Sequence, residues 1–310
     1  MLLRHTYRGM NIMRFCFIGE AMIELANSAN ECRIGFAGDT LNTAVHLARY
    51  GHEVAYFTSV GMDEYSKDFL GFLKQEKIDT RFVSQDDKLH MGLYSIRTDE
   101  NGERSFQYWR DNSAAKQMFR GANLRELSNS LAGFDYVCFS LISLAILANE
   151  PREFLLSLCQ NLSKKGVKIA FDGNYRPKLW ESKLIAEKYR DKAIAIADIG
   201  LPTFEDEVAI SNFDSIDQCI LHWQKNGAAE ILVKDGANGC VTGNMEKILP
   251  NALLKPIDTS GAGDAFNAGY LSARANGCSP LQSAAKGNEL AGWVIMNRGA
   301  IPPINNAAPY

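Results

Sequence analysis

The sequence lacks an excess of positive charge and a paired cysteine motif. Thirty-three lysine and arginine residues against 36 aspartate and glutamate residues give a formal net charge of −3, which argues against a nucleic acid or a membrane surface bound through bulk charge. The seven cysteines are scattered without a C-x-x-C pair, so neither a disulfide framework nor a zinc site is indicated. The cysteine pattern therefore favours a reducing, cytoplasmic environment. Because the net charge is slightly negative, we expect any bound anion to be held by a local group of donor residues.

We also expect neither a targeting segment nor a division into domains. The amino-terminal stretch MLLRHTYRGMNIM has no continuous apolar core, and no later apolar run approaches about 18 residues, the length of a membrane span. No repeat, low-complexity tract or linker divides the chain. We expect residues 1–310 to form one domain, with residues 1–12 as an extension.

Short apolar runs alternate with segments of helical periodicity. Strands are predicted at RFCFIGEAMIEL, EVAYFTSVG, DYVCFSLIS, VKIAFDG, IADIGLP and EILVKDG, and helices at DTLNTAVHLARYG, DEYSKDFLGFLKQEK, PREFLLSLCQNLSKKG and SIDQCILHWQKNG. This alternation predicts an α/β fold with a doubly wound, mostly parallel sheet. Ligands bind at the carboxyl ends of the strands in such sheets, so the segments that follow the strands are candidate sites.

One segment departs from the alternation. HMGLYSIRTDENGERSFQYWR reads as two strands around Asn101 and Gly102, which is typical of a hairpin. Tyr108 and Arg110 lie two residues apart on one face of a strand, and an arginine offers a planar fork that suits a carboxylate. A two-residue loop would pair Tyr94 with the opposite face, whereas a three-residue loop, 100–102, would pair it with Tyr108. Alternatively, these aromatic side chains only pack on a half-exposed hairpin.

The stretch DTSGAGDAFNAGY combines a glycine turn with an acid at the start of a predicted helix, Ala265 to Ala275. Gly261 and Gly263 allow a tight turn that directs backbone N–H groups into one concavity, which favours an anion. The helix dipole predicts an ionised Asp264 whose pKa is not high. The alternative is an ordinary glycine turn followed by an ordinary first-turn acid. Neither a Walker loop nor a dinucleotide fingerprint is present.

DTSGAGDAFNAGY resembles the carboxyl-terminal signature of the ribokinase-like (PfkB) carbohydrate kinases, D-T-x-G-A-G-D-x-F. The stretch GFAGDTLNTAVHLARYG, residues 35–51, is similar to the amino-terminal substrate loop and helix of that family. Within the family, GEAMIEL, GDTLNTAV, YWRDNSAA, SLAIL, NYRPKLW and RGAIP are similar to stretches of the members that phosphorylate 2-keto-3-deoxygluconate. The resemblance spans residues 14 to 303. It implies a ribokinase-like fold with a small β lid near 31–38 and 89–112.

The resemblance also implies an activity and its residues. The reaction would be ATP-dependent phosphorylation of 2-keto-3-deoxygluconate at its 6-hydroxyl, with Mg²⁺, Asp264 as the base, and Gly261, Ala262 and Gly263 as an anion hole. Implied substrate contacts are Gly38, Asp39, Asn42, Tyr94, Tyr108, Arg110 and Arg176. Implied ATP contacts are Asn174, Arg176, Lys234, Gly236, Gly239, Gly261, Gly263 and Asn288. Because Tyr94 is among the implied contacts, we expect the three-residue hairpin loop or an equivalent bulge.

Some roles keep alternatives. Asp39 can be a helix N-cap as well as a sugar ligand, and Arg176 can be a surface arginine before a helix. The segment LPTFEDE departs from the family's Asn-x-x-Glu pattern, because Thr203 stands in the place of the asparagine and Asp206 in the place of the glutamate. Asp206 is therefore a candidate for water-mediated magnesium binding, and the alternative is an ordinary acid at the start of a helix.

Two rival functions remain at this level. One is a kinase of the same family for a neutral sugar such as fructose or ribose, and the other is a catalytically silent sugar-binding regulator. The expected partners are a small sugar acid and ATP, and a homodimer is expected only by analogy with the family.

Overall fold

A computed structural model of the protein describes residues 11–28, 31–98 and 104–310. The predicted extension, residues 1–12, therefore lies almost wholly outside the described residues, and so does the hairpin tip, residues 100–102. Among the described residues, the strands are β1 (Arg14–Ile18), β2 (Met22–Ser28), β3 (Glu31–Ala37), β4 (Glu53–Val60), β5 (Ile78–Asp79), β6 (Val83–Gln85), β7 (Gly92–Thr98), β8 (Arg104–Trp109), β9 (Tyr136–Ser140), β10 (Lys168–Asp172), β11 (Ile199–Gly200), β12 (Glu230–Lys234), β13 (Cys240–Thr242) and β14 (Lys247–Ile248).

Helices alternate with strands along much of the chain, as expected of an α/β fold. They are α1 (Asp39–Arg49), α2 (Glu64–Gln75), α3 (Leu124–Leu131), α4 (Leu141–Ala145), α5 (Asn149–Ser163), α6 (Lys183–Ile194), α7 (Phe204–Ser211), α8 (Ile216–Lys225), α9 (Ala262–Ala275) and α10 (Pro280–Ile295). Short 3₁₀ helices occupy Ala114–Gln117, Pro177–Leu179 and Gly236–Asn238. The four helices predicted from periodicity are confirmed as α1, α2, α5 and α8.

The main sheet has the order β14-β13-β12-β11-β10-β9-β1-β4-β5, with β6 also paired to β4. The strands from β12 to β5 run parallel, and β13 and β14 add an antiparallel edge. β1 and β9 are buried almost throughout, because helices cover both faces. The predicted doubly wound, mostly parallel sheet is confirmed.

Each face of the main sheet has its own hydrophobic core. One core packs α3, α5, α6 and α8 on the sheet around Leu155 and Trp223. The other packs α1, α2, α9 and α10 around Leu41 and Phe266. The small residues of α9 let α10 approach closely: a Cβ atom on Gly269 would lie 2.5 Å from the carbonyl oxygen of Lys286.

A second sheet of four strands, in the order β3-β2-β7-β8, covers one end of the main sheet. It contains both segments predicted as a lid, but β2 joins them unexpectedly. The run RFCFIGEAMIEL was predicted as one strand and is two strands in different sheets, so that prediction is wrong. The chain leaves the main sheet after Ile18, where a Cβ atom on Gly19 would lie 2.2 Å from Oγ1 of Thr40. Among the described helices, none is long and apolar enough to cross a membrane.

Candidate active site

A cavity of about 1050 Å³ lies between the carboxyl ends of the main-sheet strands and the second sheet. Its lining combines the glycine turn before α9, the start of α1, the ends of β10 and β12, and one face of the β7–β8 hairpin. The predicted site residues that line it are Gly38, Asp39, Asn42, Tyr94, Tyr108, Arg110, Asn174, Arg176, Asp206, Lys234, Gly236, Gly261, Ala262, Gly263 and Asp264. The fold thus brings together residues that are more than 200 positions apart.

The glycine turn forms the first turn of α9. Gly261 is the N-cap, with φ of 69° in the left-handed region, and its carbonyl accepts from the N–H of Ala265 at 2.8 Å. The helix therefore begins at Ala262, three residues before the predicted start, because the turn is itself helical. The N–H of Ala262 donates to the carbonyl of Thr259 at 3.3 Å, whereas no backbone acceptor among the described residues is found for the N–H of Gly263. Because N–H groups in a first turn have no partners within their own helix, that of Gly263 is available to an anion.

Asp264 points towards α1. Its Oδ2 accepts from Nδ2 of Asn42 at 2.7 Å, and its backbone carbonyl oxygen lies 3.1 Å from the hydroxyl of Thr43. The prediction that its pKa is not high is wrong. Burial, followed by the negative charge of Asp39, raises the pKa of Asp264 to about 8, and Asp172 adds to the rise while Asn42 and Lys234 oppose it. Desolvation and two neighbouring acids outweigh the helix dipole.

The amino terminus of α1 places the sugar-binding candidates. The N-cap is Gly38 and Asp39 is already the first helical residue, so the alternative that Asp39 is the N-cap is wrong. A Cβ atom on Gly38 would lie 2.3 Å from the carbonyl oxygen of Glu20, so glycine allows this close approach. Oδ2 of Asp39 accepts from Nδ2 of Asn174 at 3.1 Å. Burial is the largest cause that raises the pKa of Asp39.

The β7–β8 hairpin supplies the opposite wall. Tyr94 pairs with Tyr108, as the longer loop predicts, and their rings stack with centroids 5.7 Å apart. Tyr94 is buried and donates its hydroxyl to Glu24, while Tyr108 is half exposed. The face that bears Tyr94, Tyr108 and Arg110 lines the cavity.

Arg110 is buried, and its guanidinium is not free. Nη2 donates to the carboxylate of Glu20, which is itself fully buried and also accepts from the hydroxyl of Ser113. The planar fork that was expected to suit a carboxylate is therefore already partly occupied by Glu20. Nε of Arg110 is buried without a hydrogen-bond partner among the described residues. An unpaired donor on a cavity wall is costly unless a ligand satisfies it.

Arg176 and Asp206 form a pair at the cavity mouth. Nη1 of Arg176 donates to Asp206 at 3.0 Å and to the carbonyl of Tyr175 at 2.6 Å. Arg176 is extended and precedes the 3₁₀ helix that begins at Pro177, as predicted. Its side chain is about half exposed. Burial raises the pKa of Asp206 to about 6, partly opposed by Arg176.

Lys234 is held at the end of β12 in the cavity floor. Its Nζ donates to Asp172 at 3.1 Å and to Oδ1 of Asn267 at 2.9 Å, and Nδ2 of Asn267 donates to the other oxygen of Asp172 at 2.8 Å. The ammonium group is buried and lies near the glycine turn, 3.8 Å from the position of a Cβ atom on Gly263. A fixed positive charge beside the turn favours an anion there.

The described residues contain no cluster of three histidine, cysteine, aspartate or glutamate side chains arranged to hold a metal ion. Magnesium, however, usually binds one or two carboxylates together with water and substrate phosphates. Asp206 and Asp172 line the cavity and have oxygen donors of that kind. The donor set therefore fits a magnesium ion carried by a nucleotide and not a permanent protein cage.

Two predicted nucleotide contacts lie away from the described cavity lining. Gly239 has φ of 87°, and a Cβ atom there would lie 2.0 Å from the carbonyl oxygen of Ile248. Gly239 thus lies in the connection between β12 and β13 and allows this connection to pack closely on β14. Asn288 lies on α10, and its Nδ2 is buried without a partner among the described residues.

The sequence reasoning missed Glu20, Asp172 and Asn267. Glu20 and Asp172 each stand at or just after the carboxyl end of a main-sheet strand, β1 and β10. The rule that ligands bind at those ends would have selected both acids. Asn267 lies one helical turn after Gly263, on the same face of α9.

Known proteins resemble this chain along nearly its whole length. Residues 14–307 match the profile described as pfkB family carbohydrate kinase. The 2-dehydro-3-deoxygluconokinase of Escherichia coli K12 is 39% identical over 300 residues, covering 94% of this chain and 97% of that protein. The 2-dehydro-3-deoxygluconokinase of Dickeya dadantii 3937 is 37% identical, covering 95% and 98%. A crystal structure of a PfkB protein from Polaromonas sp. JS666 superposes with a TM-score of 0.81 at 22% identity, covering 94% and 97%.

Proposed function

The chain belongs to the pfkB family of carbohydrate kinases, and from that premise we propose that it transfers the γ-phosphoryl group of ATP to the 6-hydroxyl of 2-keto-3-deoxygluconate. The observation that carries the proposal is one cavity in which Asp264 and the glycine turn face Arg110 and the two tyrosines. The first group suits phosphoryl transfer and the second suits a sugar acid. Curated relatives that are 37–39% identical over nearly their full length have the same activity in their names, which supports the substrate.

Asp264 would accept the proton of the attacking hydroxyl. The hydroxyl oxygen forms a bond to the γ-phosphorus, the bond between that phosphorus and the bridging oxygen breaks, and the electron pair leaves with ADP. A carboxylate with a pKa near 8 is a stronger base than an ordinary aspartate. Proton transfer is most efficient when the pKa of the base lies near the pH at which the enzyme works. Asn42 donates to Oδ2 and so orients the carboxylate towards the cavity.

The glycine turn and Lys234 would stabilise the charge on the transferred group. Preorganised N–H groups at a helix amino terminus need no rearrangement during the reaction, which is the main protein contribution to phosphoryl transfer. Magnesium, when bound with ATP, would neutralise phosphate charge, and Asp206 and Asp172 are the acids placed to contact it or its water. Arg176, at the mouth, is placed to contact a phosphate oxygen or the substrate.

Arg110 would select the acid. Its unpaired Nε supplies a donor that a carboxylate accepts, while Glu20 holds the guanidinium in place. A neutral sugar does not replace that charged acceptor, and this is the physical difference from the fructose and ribose kinase hypothesis. Asp264 and the intact glycine turn argue against the silent regulator, because function resides in these site residues and not in the fold.

An ADP-release assay tests the proposal with 2-keto-3-deoxygluconate, gluconate, fructose and ribose as substrates. We expect turnover with the keto acid to exceed that with each other sugar. Asp264→Asn, purified in parallel, serves as the control for contaminating kinases and should lose most of kcat while it still binds substrate. Preference for fructose or ribose would refute the acid assignment, and absence of turnover on every sugar would refute the kinase.

A further inference from the structure

Helix α1 has an unusual stripe of polar side chains on the face that contacts α9 and residues 300–302. Asn42, Thr43, His46 and Arg49 are spaced at i, i+1, i+4 and i+7, so they lie on one face of the helix. All four side chains are largely buried, in a position where an amphipathic helix normally has apolar residues. Asn42 and Thr43 contact Asp264. The other two contact a different part of the site wall.

His46 binds the segment that supports the glycine turn. Its Nε2 lies 3.0 Å from the carbonyl oxygen of Ala300, and its Nδ1 lies 2.5 Å from the hydroxyl of Tyr310. Arg49 donates to the carbonyl of Pro302 at 2.7 Å and is itself paired with Glu76. The stripe therefore fixes residues 300–302 at two points.

The tautomer of His46 follows from its partners. A carbonyl oxygen only accepts, so Nε2 must carry the hydrogen, and Nδ1 of the neutral ring then accepts from the Tyr310 hydroxyl. Burial lowers the pKa of His46 to about 3, which keeps the ring neutral. The Tyr310 hydroxyl, as the donor to Nδ1, thus stabilises the tautomer in which His46 donates to Ala300.

Ala300 lies directly against the anion hole. It is buried and lines the active-site cavity. A Cβ atom on Gly261 would lie 2.5 Å from Cβ of Ala300 and 2.9 Å from its Cα, so the two backbones are in close contact. A shift of Ala300 would remove the surface on which the left-handed N-cap of α9 rests.

We propose that His46 is a positioning residue for phosphoryl transfer: it donates to the Ala300 carbonyl in the tautomer that the Tyr310 hydroxyl stabilises, keeps Ala300 packed on Gly261, and so fixes the direction of the N–H groups in the glycine turn. The inference rests on the proposed kinase activity. His46 touches neither substrate nor nucleotide, and it acts through Ala300. Displacement of a catalytic group by about 1 Å can lower a rate about a hundredfold, so such support has measurable effects.

The test compares His46→Leu, His46→Gln and Tyr310→Phe in the full-length chain by ADP release with the keto acid. We expect His46→Leu to lower kcat at least about tenfold while the KM values for sugar and ATP stay within about twofold, because the support acts in the transition state. His46→Gln retains an N–H donor for Ala300 and should recover part of that loss. Tyr310→Phe keeps the ring and should lower kcat less than His46→Leu.

His52→Leu is the matched control. His52 is also buried, with Nε2 3.0 Å from the hydroxyl of Ser272 and Nδ1 accepting from the N–H of Met13 at 3.3 Å, but neither contact reaches the glycine turn. We expect its kcat to stay near that of the unmodified chain. An equal fall of kcat in His52→Leu and His46→Leu would overturn the proposal, and so would a folded His46→Leu protein with normal kcat.

Melting curves separate folding from positioning. If His46→Leu does not fold, His46→Gln and Tyr310→Phe decide, and normal kcat in both overturns the inference. If the unmodified chain prefers a neutral sugar, the substrate assignment fails, and the same kcat comparison is made with that sugar. If it turns over no sugar, both the function and the inference are overturned.

Discussion

At the scale of single residues, the pKa of Asp264 is the property that could not be predicted from the sequence. The first-turn position of this acid predicts an ordinary or low pKa. The fold, however, brings Asp39 and Asp172 near it and removes it from water, which raises the pKa to about 8. Asp172 and Asp39 lie 92 and 225 positions before Asp264 in the chain, and no spacing in the sequence shows that they will be its neighbours. The place of this acid beside the glycine turn was predictable, whereas its environment was not.

The acid limb of the pH profile should report this raised pKa. The proposed base must be ionised, so we expect kcat/KM for the keto acid to rise with pH until about pH 8. Asp39→Asn removes a neighbouring negative charge and should move the limb to lower pH, whatever it does to KM. Steady-state kinetics between pH 5 and about 9 measure both. A value of kcat/KM that does not change with pH between pH 5 and about pH 8 would show that Asp264 is not the titrating base.

Arg110 and Glu20 allow binding to be separated from stability. Arg110→Ala should raise KM for the keto acid roughly ten- to hundredfold, because a charge-assisted hydrogen bond is lost, and leave KM for ATP nearly unchanged. The same change leaves the buried Glu20 carboxylate without its cation, which costs about 3–5 kcal/mol of stability.

The double variant Glu20→Gln/Arg110→Ala is the control for that loss. It removes both charges, so we expect the free energy of unfolding to recover while KM for the keto acid stays high. Urea unfolding and ADP-release kinetics measure the two quantities. Recovery of KM together with stability would mean that Arg110 acts through the fold and not by contact with the substrate.

At the scale of secondary structure, periodicity predicted the helices well and strand continuity less well. The amphipathic runs of α1, α2, α5 and α8 have clear helical spacing, and the structure contains all four. The run RFCFIGEAMIEL is mostly apolar, and Gly19 and Glu20 between its two halves are too weak a signal to separate β1 from β2. At that break Gly19 allows the close approach of Thr40, a residue of α1, which is a tertiary contact that the run itself does not show. The register of Tyr94 with Tyr108 was predicted only because the resemblance fixed the face of Tyr94.

The glycine turn before α9 is a second feature of this scale, and Gly261→Ala tests it. The residue combines a left-handed φ of 69° with a contact of 2.5 Å between its new Cβ and Ala300. We expect a loss of about 1–3 kcal/mol in the free energy of unfolding and a marked fall in kcat. Chemical unfolding and ADP release measure the two effects.

Gly277→Ala, at the other end of α9, is the matched control for that variant. Gly277 has φ of 80°, and no atom of the described residues lies within 4 Å of a new Cβ there, so it has the backbone strain without the collision. Its kcat should be unchanged. A comparable fall of kcat in both variants would show that general strain in α9, and not the turn against Ala300, controls the rate.

At the scale of the whole molecule, the site lowers the stability of the fold on which it depends. Burial raises the pKa of Asp264, Asp39, Asp206 and Glu207, the last two to about 6 and about 7. A folded chain with such groups binds more protons than the unfolded chain between pH about 4 and about 8, so its stability falls as pH rises through that range. The acids whose pKa is lowered, among them Asp63 and Asp191, contribute stability that is lost only at lower pH.

Asp264→Asn should therefore stabilise the protein while it abolishes most turnover. The variant removes the cost of keeping a buried carboxylate ionised and retains an oxygen that can accept from Asn42. Because one pKa unit corresponds to about 1.4 kcal/mol, we expect a gain of at least about 1 kcal/mol in the free energy of unfolding at pH 8. The gain should shrink towards zero near pH 4, where the carboxyl of the unmodified chain is protonated in both states.

Asp217→Asn is the control for this last prediction, because Asp217 is an exposed acid in the first turn of α8. Like Asp264 it lies in the first turn of its helix, but it is not buried, so its substitution should give no gain at either pH. Urea unfolding at pH 4 and pH 8 measures both variants. A gain for Asp264→Asn that is equal at the two pH values would show that the substitution acts by packing. A gain that appears only at the higher pH would show that the chain sacrifices stability to keep a strong base in a buried site.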